Sequence, residues 1–435
     1  MSDSTGASTS DEPTSVGVVG AGITGLALTH YLAERGLDVM TFESGSEPGG
    51  IVRSSQIDGR VLEYGPQRAR LVPEIEALVD ELDLRDELVV ADDDLPLYVY
   101  ADGRLREVPR SLSTFFQTDL LSWRGKCRLL VEPLTAPGQP DERAASLFAR
   151  KFGLEAYRNV IEPLFGGLYG SDPADMPAEH SLSRLLALEK RKGSLLRPAV
   201  DRLIRGGETP PPISFDSGLQ ALPEALYEAH RLYVHLNTTV SSIETDGDGY
   251  ALSAGGRTVT VDEVVVTSTA SGAATILESL DGPTVAPLRE LNYNSLVLVF
   301  LEADAQTEGF GYQVRRDEAL STRGVTFNDS LFDRDGIYTV YLGGTSDPGA
   351  VDRSEEELAT LARQEFQTVM GVDADVVEIT RLPEVIPAFD TSWAALETVS
   401  LPDEITLAGN YTSRLGFPGR FRQAKRIADR LAAES

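Results

Sequence analysis

Gly20, Gly22 and Gly25 stand at G-x-G-x-x-G spacing in Gly20-Ala21-Gly22-Ile23-Thr24-Gly25, directly behind an apolar, β-prone run from Val16 to Val19. Each glycine has a separate task if this turn meets a pyrophosphate. Gly20 permits the tight turn, Gly22 lets backbone approach the phosphates, and Gly25 lets the following helix lie close to the strand. The helix N-terminus adds free N–H groups and a partial positive charge. The pattern predicts that helix over 26–35, closed by Gly36, and a second strand over 38–42 that ends in Glu43. A carboxylate at Glu43 is placed to accept ribose hydroxyls, which disfavours a 2′-phosphate and argues against NADP. The chain then reads Ser44-Gly45-Ser46-Glu47-Pro48-Gly49-Gly50-Ile51. A second glycine pair this close to the ribose acid has no role in binding NAD.

Other chemistries are excluded by composition. Cys127 is the only cysteine, so neither an intrachain disulfide nor a thiolate metal cluster can form. His30, His180, His230 and His235 show no metal-ligand spacing, no metal site is expected, and no Ser/His/Asp signature appears. His230 and His235 read as structural. Redox chemistry must therefore come from a bound cofactor.

At 435 residues the chain is long enough for about three compact units, and 41% hydrophobic residues provide a large core. Its net charge is −29, and its only lysines are Lys126, Lys151, Lys190, Lys192 and Lys425. Abundant acid with scarce lysine points to a salt-rich cytoplasm, where screening removes self-repulsion. The same charge argues against nucleic acid as a partner. No run of about eighteen apolar residues is present. The first fifteen residues lack the basic and apolar regions of a signal peptide and read as a disordered tail, so the expected location is cytoplasmic.

The fold class is α/β: a Rossmann-like cofactor domain, an antiparallel α+β substrate domain and a helical lobe. Residues 16–85 form the first cofactor segment, with an amphipathic helix over 73–82. Residues 86–110 open the substrate domain with a strand over 97–101 and a turn at Asp102-Gly103. The helical lobe covers 111–208 and ends at the break Thr209-Pro210-Pro211-Pro212. Residues 209–287 return to the cofactor domain through short strands near 233–236, 239–243, 250–252 and 263–267. Residues 288–395 carry longer strands, near 296–301 and 337–342, and a helix over 354–370. Residues 396–435 close the cofactor domain with a strand over 405–410 and a helix over 420–433.

Two basic islands lie in or beside the helical lobe. One holds Arg104, Arg106, Arg110, Arg124, Lys126 and Arg128; the other holds Arg184, Lys190, Arg191, Lys192, Arg197, Arg202 and Arg205. Three readings fit them: contact with anionic lipid beside Phe115, Phe116 and Trp123, attraction of a polycarboxylate substrate, or a solvated or internally paired cluster.

The chain resembles the protoporphyrinogen oxidase family from Val16 almost to its end. The stretch Gly49-Gly50-Ile51-Val52-Arg53-Ser54 is similar to that family's G-G-x-I-R-S, an extension that carries FAD across the wider amine oxidase and desaturase superfamily. Glu63-Tyr64-Gly65-Pro66-Gln67-Arg68 resembles its E-x-G-P element beside the flavin. Glu132-Pro133-Leu134 and Phe165-Gly166-Gly167-Leu168-Tyr169-Gly170 resemble its helical lobe, where Gly167 reaches the substrate. Gly218-Leu219-Gln220-Ala221-Leu222, Leu342-Gly343-Gly344, Leu407-Ala408-Gly409-Asn410 and Gly416-Phe417-Pro418 follow in family order.

The resemblance implies FAD contacts at Gly20, Ala21, Gly22, Ile23, Thr24, Gly25, Glu43, Ser44, Gly50, Ile51, Gly65, Pro66, Gln67, Arg68, Val240, Asn410, Leu415, Gly416 and Phe417. It implies six-electron oxidation of a porphyrinogen, a tetrapyrrole substrate, with molecular oxygen as acceptor. Hydride leaves a meso carbon, so orientation and an apolar cavity matter more than a protein acid or base; no catalytic residue is named. Peripheral membrane contact through the helical lobe and a homodimer are compatible with it. Two departures bear on the substrate. Leu95-Pro96-Leu97 lacks the basic residue that often precedes this strand and pairs with a propionate, while Arg323 stands where the family lines its cavity with an apolar residue. Arg323 is thus a candidate replacement cation, and Tyr341 is a second cavity position. The closing helix also departs, reading Gly419-Arg420-Phe421-Arg422-Gln423-Ala424. Two alternatives remain: a desaturase or amine oxidase on the same scaffold, or a protein that holds a flavin or tetrapyrrole without turning it over.

Overall fold

The computed structural model describes residues 13–205, 209–412 and 416–434. Residues 1–12 of the expected tail and the expected flavin contact Leu415 lie outside the described residues. Two compact units are formed, one from Met1–Gly50, Leu222–Arg289 and Val399–Ser435, the other from Ile51–Ala221 and Glu290–Thr398.

The first unit is built on a five-stranded parallel sheet in the order Val234–His235, Asp38–Phe42, Ser15–Val19, Glu263–Val266 and Ile405–Leu407. Val16, Val18, Val19, Val264, Val265 and Val266 are all buried, as expected for parallel strands covered on both faces. We call Ser15–Val19 β1, Ile23–Glu34 α1 and Asp38–Phe42 β2. Ser15, which the sequence assigns to the tail, pairs with Asp38 and donates its N–H to Asp262 Oδ2 at 2.8 Å. Because β2 pairs on one side of β1 and Glu263–Val266 on the other, the strand order reverses at the turn after β1. Open α/β sheets place their ligands at such a point. Helix α1 packs on the closing helix Phe417–Glu434, and Arg35 Nε bonds Asp429 Oδ1 at 3.0 Å. An antiparallel meander, Val240–Asp246, Gly249–Ala254 and Arg257–Val261, completes the unit. Its third strand has no counterpart among the expected elements.

The second unit contains a seven-stranded sheet in the order Asp375–Pro387, Tyr293–Glu302, Ile337–Gly343, Gly324–Phe327, Gly311–Val314, Leu97–Ala101 and Arg104–Glu107. Side chains alternate along each strand, so the two faces can be read directly. Val297, Val299, Leu301, Tyr312, Val314, Val325, Phe327, Tyr338, Val340 and Leu342 form one core with Leu358, Ala362 and Phe366 of the helix Glu355–Met370. Ser354 caps that helix reciprocally with Glu357, which fixes where it begins. The opposite face holds Leu298, Phe300 and Ile337, with Leu62, Tyr64 and Tyr341 packed on them.

The hairpin Ser54–Ile57/Arg60–Glu63 and the strand Pro212–Phe215 lie in this second unit, although the sequence reading places 51–85 and 209–221 with the cofactor segments. One buried carboxylate ties these segments together. Glu63 accepts from Ser54 Oγ at 2.5 Å, Leu219 N–H at 3.0 Å and Ser214 Oγ at 3.1 Å, and lies 3.6 Å from the Arg334 guanidinium. Pro212–Phe215 also pairs with both Ala69–Arg70 and Leu88–Val90.

The helical stretch includes Leu112–Gln117, Trp123–Leu129, Ala144–Phe152, Glu162–Tyr169, Ser183–Lys192 and Leu196–Arg205. Its centre is fixed by fully buried Lys151, which pairs with Glu132 and Glu189, while Glu132 also accepts the Leu195 N–H at 3.1 Å. The first basic island is largely satisfied from within. Arg104 pairs with Asp119, Arg106 with Asp102 and Arg110 with Asp93, while Lys126 donates to the carbonyls of Phe116 and Thr118. Among the described residues no helix is long and apolar enough to cross a membrane.

Candidate functional site

The turn after β1 has the shape its glycines require. Gly20 adopts φ +105°, and a β-carbon on Gly25 would overlap the Gly20 carbonyl oxygen. Thr267 Oγ1 closes the turn from the neighbouring strand end, 2.9 Å from Val19 O and 3.0 Å from Gly20 O. Gly22 is the N-cap of α1, with no capping side chain and no acid in the first turn. The first-turn N–H groups, Ile23 and Thr24 among them, are therefore left for an anion. Gly49 donates its N–H to Ala21 O at 2.8 Å, bringing Gly49 and Gly50 alongside Gly22, with only 4.0 Å from the Gly22 β-position to Gly50 Cα. Two glycine backbones thus face one helix N-terminus. That cradle fits the pyrophosphate of a dinucleotide.

Glu43 follows β2 and is tied at both carboxylate oxygens. Oε2 accepts the Ala21 N–H at 2.8 Å, and Oε1 accepts the Gly45 N–H at 2.7 Å with Ser44 Oγ at 3.2 Å. These bonds hold the acid against the glycine turn. The Thr238 N–H donates to Glu43 O at 2.7 Å, which places the segment leading to buried Val240 beside it.

At the far edge of this sheet, Asn410 lies just beyond Ile405–Leu407, a strand three residues shorter than the sequence suggests. Buried Arg420 donates to Gly409 O at 2.8 Å and to Asn410 O at 3.1 Å. The closing helix starts at Phe417, immediately after Gly416. The departure at Arg420 therefore has a local task, because it fixes the loop carrying Asn410. Sequence reading registered the departure but not this role.

In the second unit, Ile51 and Gly65 are in contact: a β-carbon on Gly65 would overlap Ile51 O. Pro66 follows, and buried Gln67 then organises its surroundings. Its Nε2 donates to Glu63 O at 2.7 Å and Gly65 O at 3.0 Å, while its Oε1 accepts from Asn328 Nδ2 and lies the same 2.9 Å from Thr339 Oγ1. Asn328 and Thr339 have no local signal in the sequence. Burial pushes the Glu63 carboxyl above its ordinary range, opposed by Ser54 and by Arg334.

Thr339 and Tyr341 share the sheet face opposite the helix-packed core, as do Gly324, Thr326 and Gln313 by alternation. Tyr341 Oη and Thr326 Oγ1 are 2.8 Å apart, and burial raises the phenol pKa. Gln313 lies between two glycines: a β-carbon on Gly167, in the helix Glu162–Tyr169, would overlap its Oε1, and one on Gly324 would come within 2.7 Å of it. The structure thus brings Gly167 and Tyr341 to one face, through the unanticipated Gln313. The helix is entered through a π turn, Tyr157–Ile161, a deformation common at functional sites. Tyr169 ends it, with its ring 5.1 Å from Phe389, which takes φ +54° and stacks on Trp393 at 4.1 Å. A bulky residue at positive φ stores strain.

Arg323 does not join that face. It stands in register between Val314 and Leu342, both in the helix-packed core, and its Nη2 donates to Leu320 O at 2.8 Å. Continued to Arg323, that register directs the side chain away from Tyr341, while its guanidinium is in electrostatic range of Glu162, at the start of the helix that carries Gly167. Arg68 does approach, with its guanidinium 5.6 Å from the Phe310 ring centroid and in electrostatic range of Tyr341. An open hollow of about 720 Å³ elsewhere on this unit is lined by Arg60, Glu302, Asp329, Asp335 and Asp375 and contains none of the expected site residues.

A family model described as flavin containing amine oxidoreductase matches residues 23–432. The chain is similar to protoporphyrinogen oxidase 1 of spinach chloroplasts, 25% identical over 476 residues that cover 96% of this chain and 84% of that protein. It is also similar to coproporphyrinogen III oxidase of Staphylococcus aureus, 24% identical over 461 residues that cover 90% of this chain and 97% of that protein. A solved structure from Exiguobacterium sp. 255-15, provisionally named a protoporphyrinogen oxidase, matches with a TM-score of 0.81 at 23% identity, covering 97% of this chain and 99% of that one.

Proposed function

The chain belongs to the flavin containing amine oxidoreductase family, its cofactor is FAD, and from that premise we propose that it is a porphyrinogen oxidase. The reaction would convert protoporphyrinogen IX or coproporphyrinogen III to the porphyrin, passing three hydride equivalents to three molecules of oxygen with three of hydrogen peroxide formed. The observation that carries this reading is the similarity to relatives named for these two oxidations along nearly the whole chain.

The geometry supports it. FAD, when bound, accepts the hydride and passes the electrons on to oxygen. Gly20 to Gly25 with Gly50 would hold the pyrophosphate, and Glu43 with Ser44 the adenosine ribose beside Val240. Within the first unit, Asn410, Gly416 and Phe417 would hold the flavin end. The protein's further task is orientation. The face carrying Gly167, Gly324, Gln313, Thr326 and Tyr341 presents glycines, neutral amides and hydroxyls, with no group that titrates near neutrality. That suits removal of hydride from a carbon, which needs positioning and exclusion of water more than a general base.

Adding a porphyrinogen without air to the flavin-loaded protein tests the reading. The flavin absorbance should bleach and return on admitting oxygen. A flavin that stays oxidised under a porphyrinogen but bleaches under an amine would move the function to amine oxidation.

A further inference from the structure

Arg68 differs from the other guanidiniums around it. Arg70 pairs with Asp93 at 3.0 Å, Arg110 donates to Leu95 O at 2.8 Å, and Arg334 lies beside Glu63. Among the described residues Arg68 has neither a hydrogen-bond acceptor nor a carboxylate partner. It is half-buried and lies over the Phe310 ring. Desolvation and the nearby Arg70 pull its pKa below the ordinary value. Burying a cation without an anion is unfavourable, and such a group persists where it has a use.

Its position indicates the use. Phe310 donates its N–H to Pro96 O at 2.8 Å, so Arg68 stands beside the entry to the strand Leu97–Ala101, a loop with no cation of its own. The Tyr341 hydroxyl is in electrostatic range of Arg68, and it can accept from Thr326 and keep its own proton for a ligand. The segment carrying Arg68 is held still by Gln67 through Asn328 and Thr339.

We infer that Arg68 is the anchor for a carboxylate of the substrate, with Tyr341 as the second donor, rather than a flavin contact. This rests on the porphyrinogen reading above. The guanidinium gives a charge-assisted bond to one side chain of the macrocycle and so fixes the macrocycle's orientation on this face.

The test is titration of the FAD-loaded protein with coproporphyrin III, followed by porphyrin fluorescence, beside the same titration with its methyl ester. Arg68→Met should weaken binding of the acid about ten- to a hundredfold, the range for a bond to a charged group. Ester affinity, flavin content and flavin spectrum should be the same as in the parent protein, and Arg68→Lys should fall between. Unchanged acid affinity in Arg68→Met overturns the anchor, and so does an equal loss for acid and ester or a loss that follows flavin content. If the parent protein binds neither acid nor ester, the porphyrinogen reading fails and the anchor fails with it.

Discussion

Gly25 is packed so closely beneath Gly20 that a β-carbon on it would overlap the Gly20 carbonyl oxygen. The obstacle is backbone, so no rotamer change relieves it, and the start of α1 must move away from β1. Gly25→Ala should cost about 1–3 kcal/mol, as overpacking does, and lower flavin content after purification. Thermal melting and the ratio of flavin to protein absorbance check both effects. Full flavin content at unchanged stability would show that the cofactor does not depend on this turn.

Glu63 and Arg334 are 1% and 6% exposed, and Ser54, Ser214 and the Leu219 N–H converge on the same carboxylate. Arg334→Met leaves that carboxylate without its counter-ion and should destabilise by about 3–5 kcal/mol. Adding Glu63→Gln should recover much of the loss, because the uncompensated charge is then gone. Urea midpoints of the two single variants and the double variant measure this coupling.

Gly167 meets the end of a flexible side chain rather than backbone, which predicts a different outcome. Gly167→Ala should displace the Gln313 amide toward the face shared by Gly324 and Tyr341 at little cost in stability. The expected result is a KM for porphyrinogen raised several-fold, with flavin content and melting temperature unchanged. A drop in melting temperature without a change in KM would make Gly167 a packing residue alone.

His30 and His230 touch through ring nitrogens 3.0 Å apart, and desolvation lowers both pKa values from 6.5. The unfolded chain therefore binds more protons in the window below 6.5. Their contribution is whole above that pH and is lost as the pH falls through the folded-state values. Glu263 has the opposite sign: burial pushes its carboxyl from 4.5 up to about 7, so its cost grows as the pH rises across that window. Denaturation midpoints followed from pH 8 downward should fall less steeply in His30→Gln. Glu263→Gln should remove a loss of stability between 4.5 and 7.

Local signals in the chain were legible for a physical reason. β2 occupies 38–42 as expected, the helix Glu355–Met370 begins at the Ser354 cap, and the strand Leu97–Ala101 lies where alternation ends at Asp102-Gly103. Each depends on neighbours within a few residues. What was hidden depends on partners far along the chain. Gln67 meets Asn328 and Thr339, Glu63 meets Arg334, and Gly167 meets Gln313, pairs that only the assembled sheet brings together. Arg323 shows the same limit: its residue type suits a carboxylate, but the strand register that sets its direction comes from partners far along the chain.

The central claim is oxidation of a porphyrinogen. It is tested most directly by aerobic fluorescence of the purified, FAD-loaded protein in high salt with freshly reduced protoporphyrinogen IX and coproporphyrinogen III. Porphyrin emission should rise in proportion to enzyme concentration above the rate of spontaneous oxidation, and the ratio of the two rates identifies the preferred substrate. Emission no faster than the enzyme-free control, from folded protein with its flavin in place, would contradict the account.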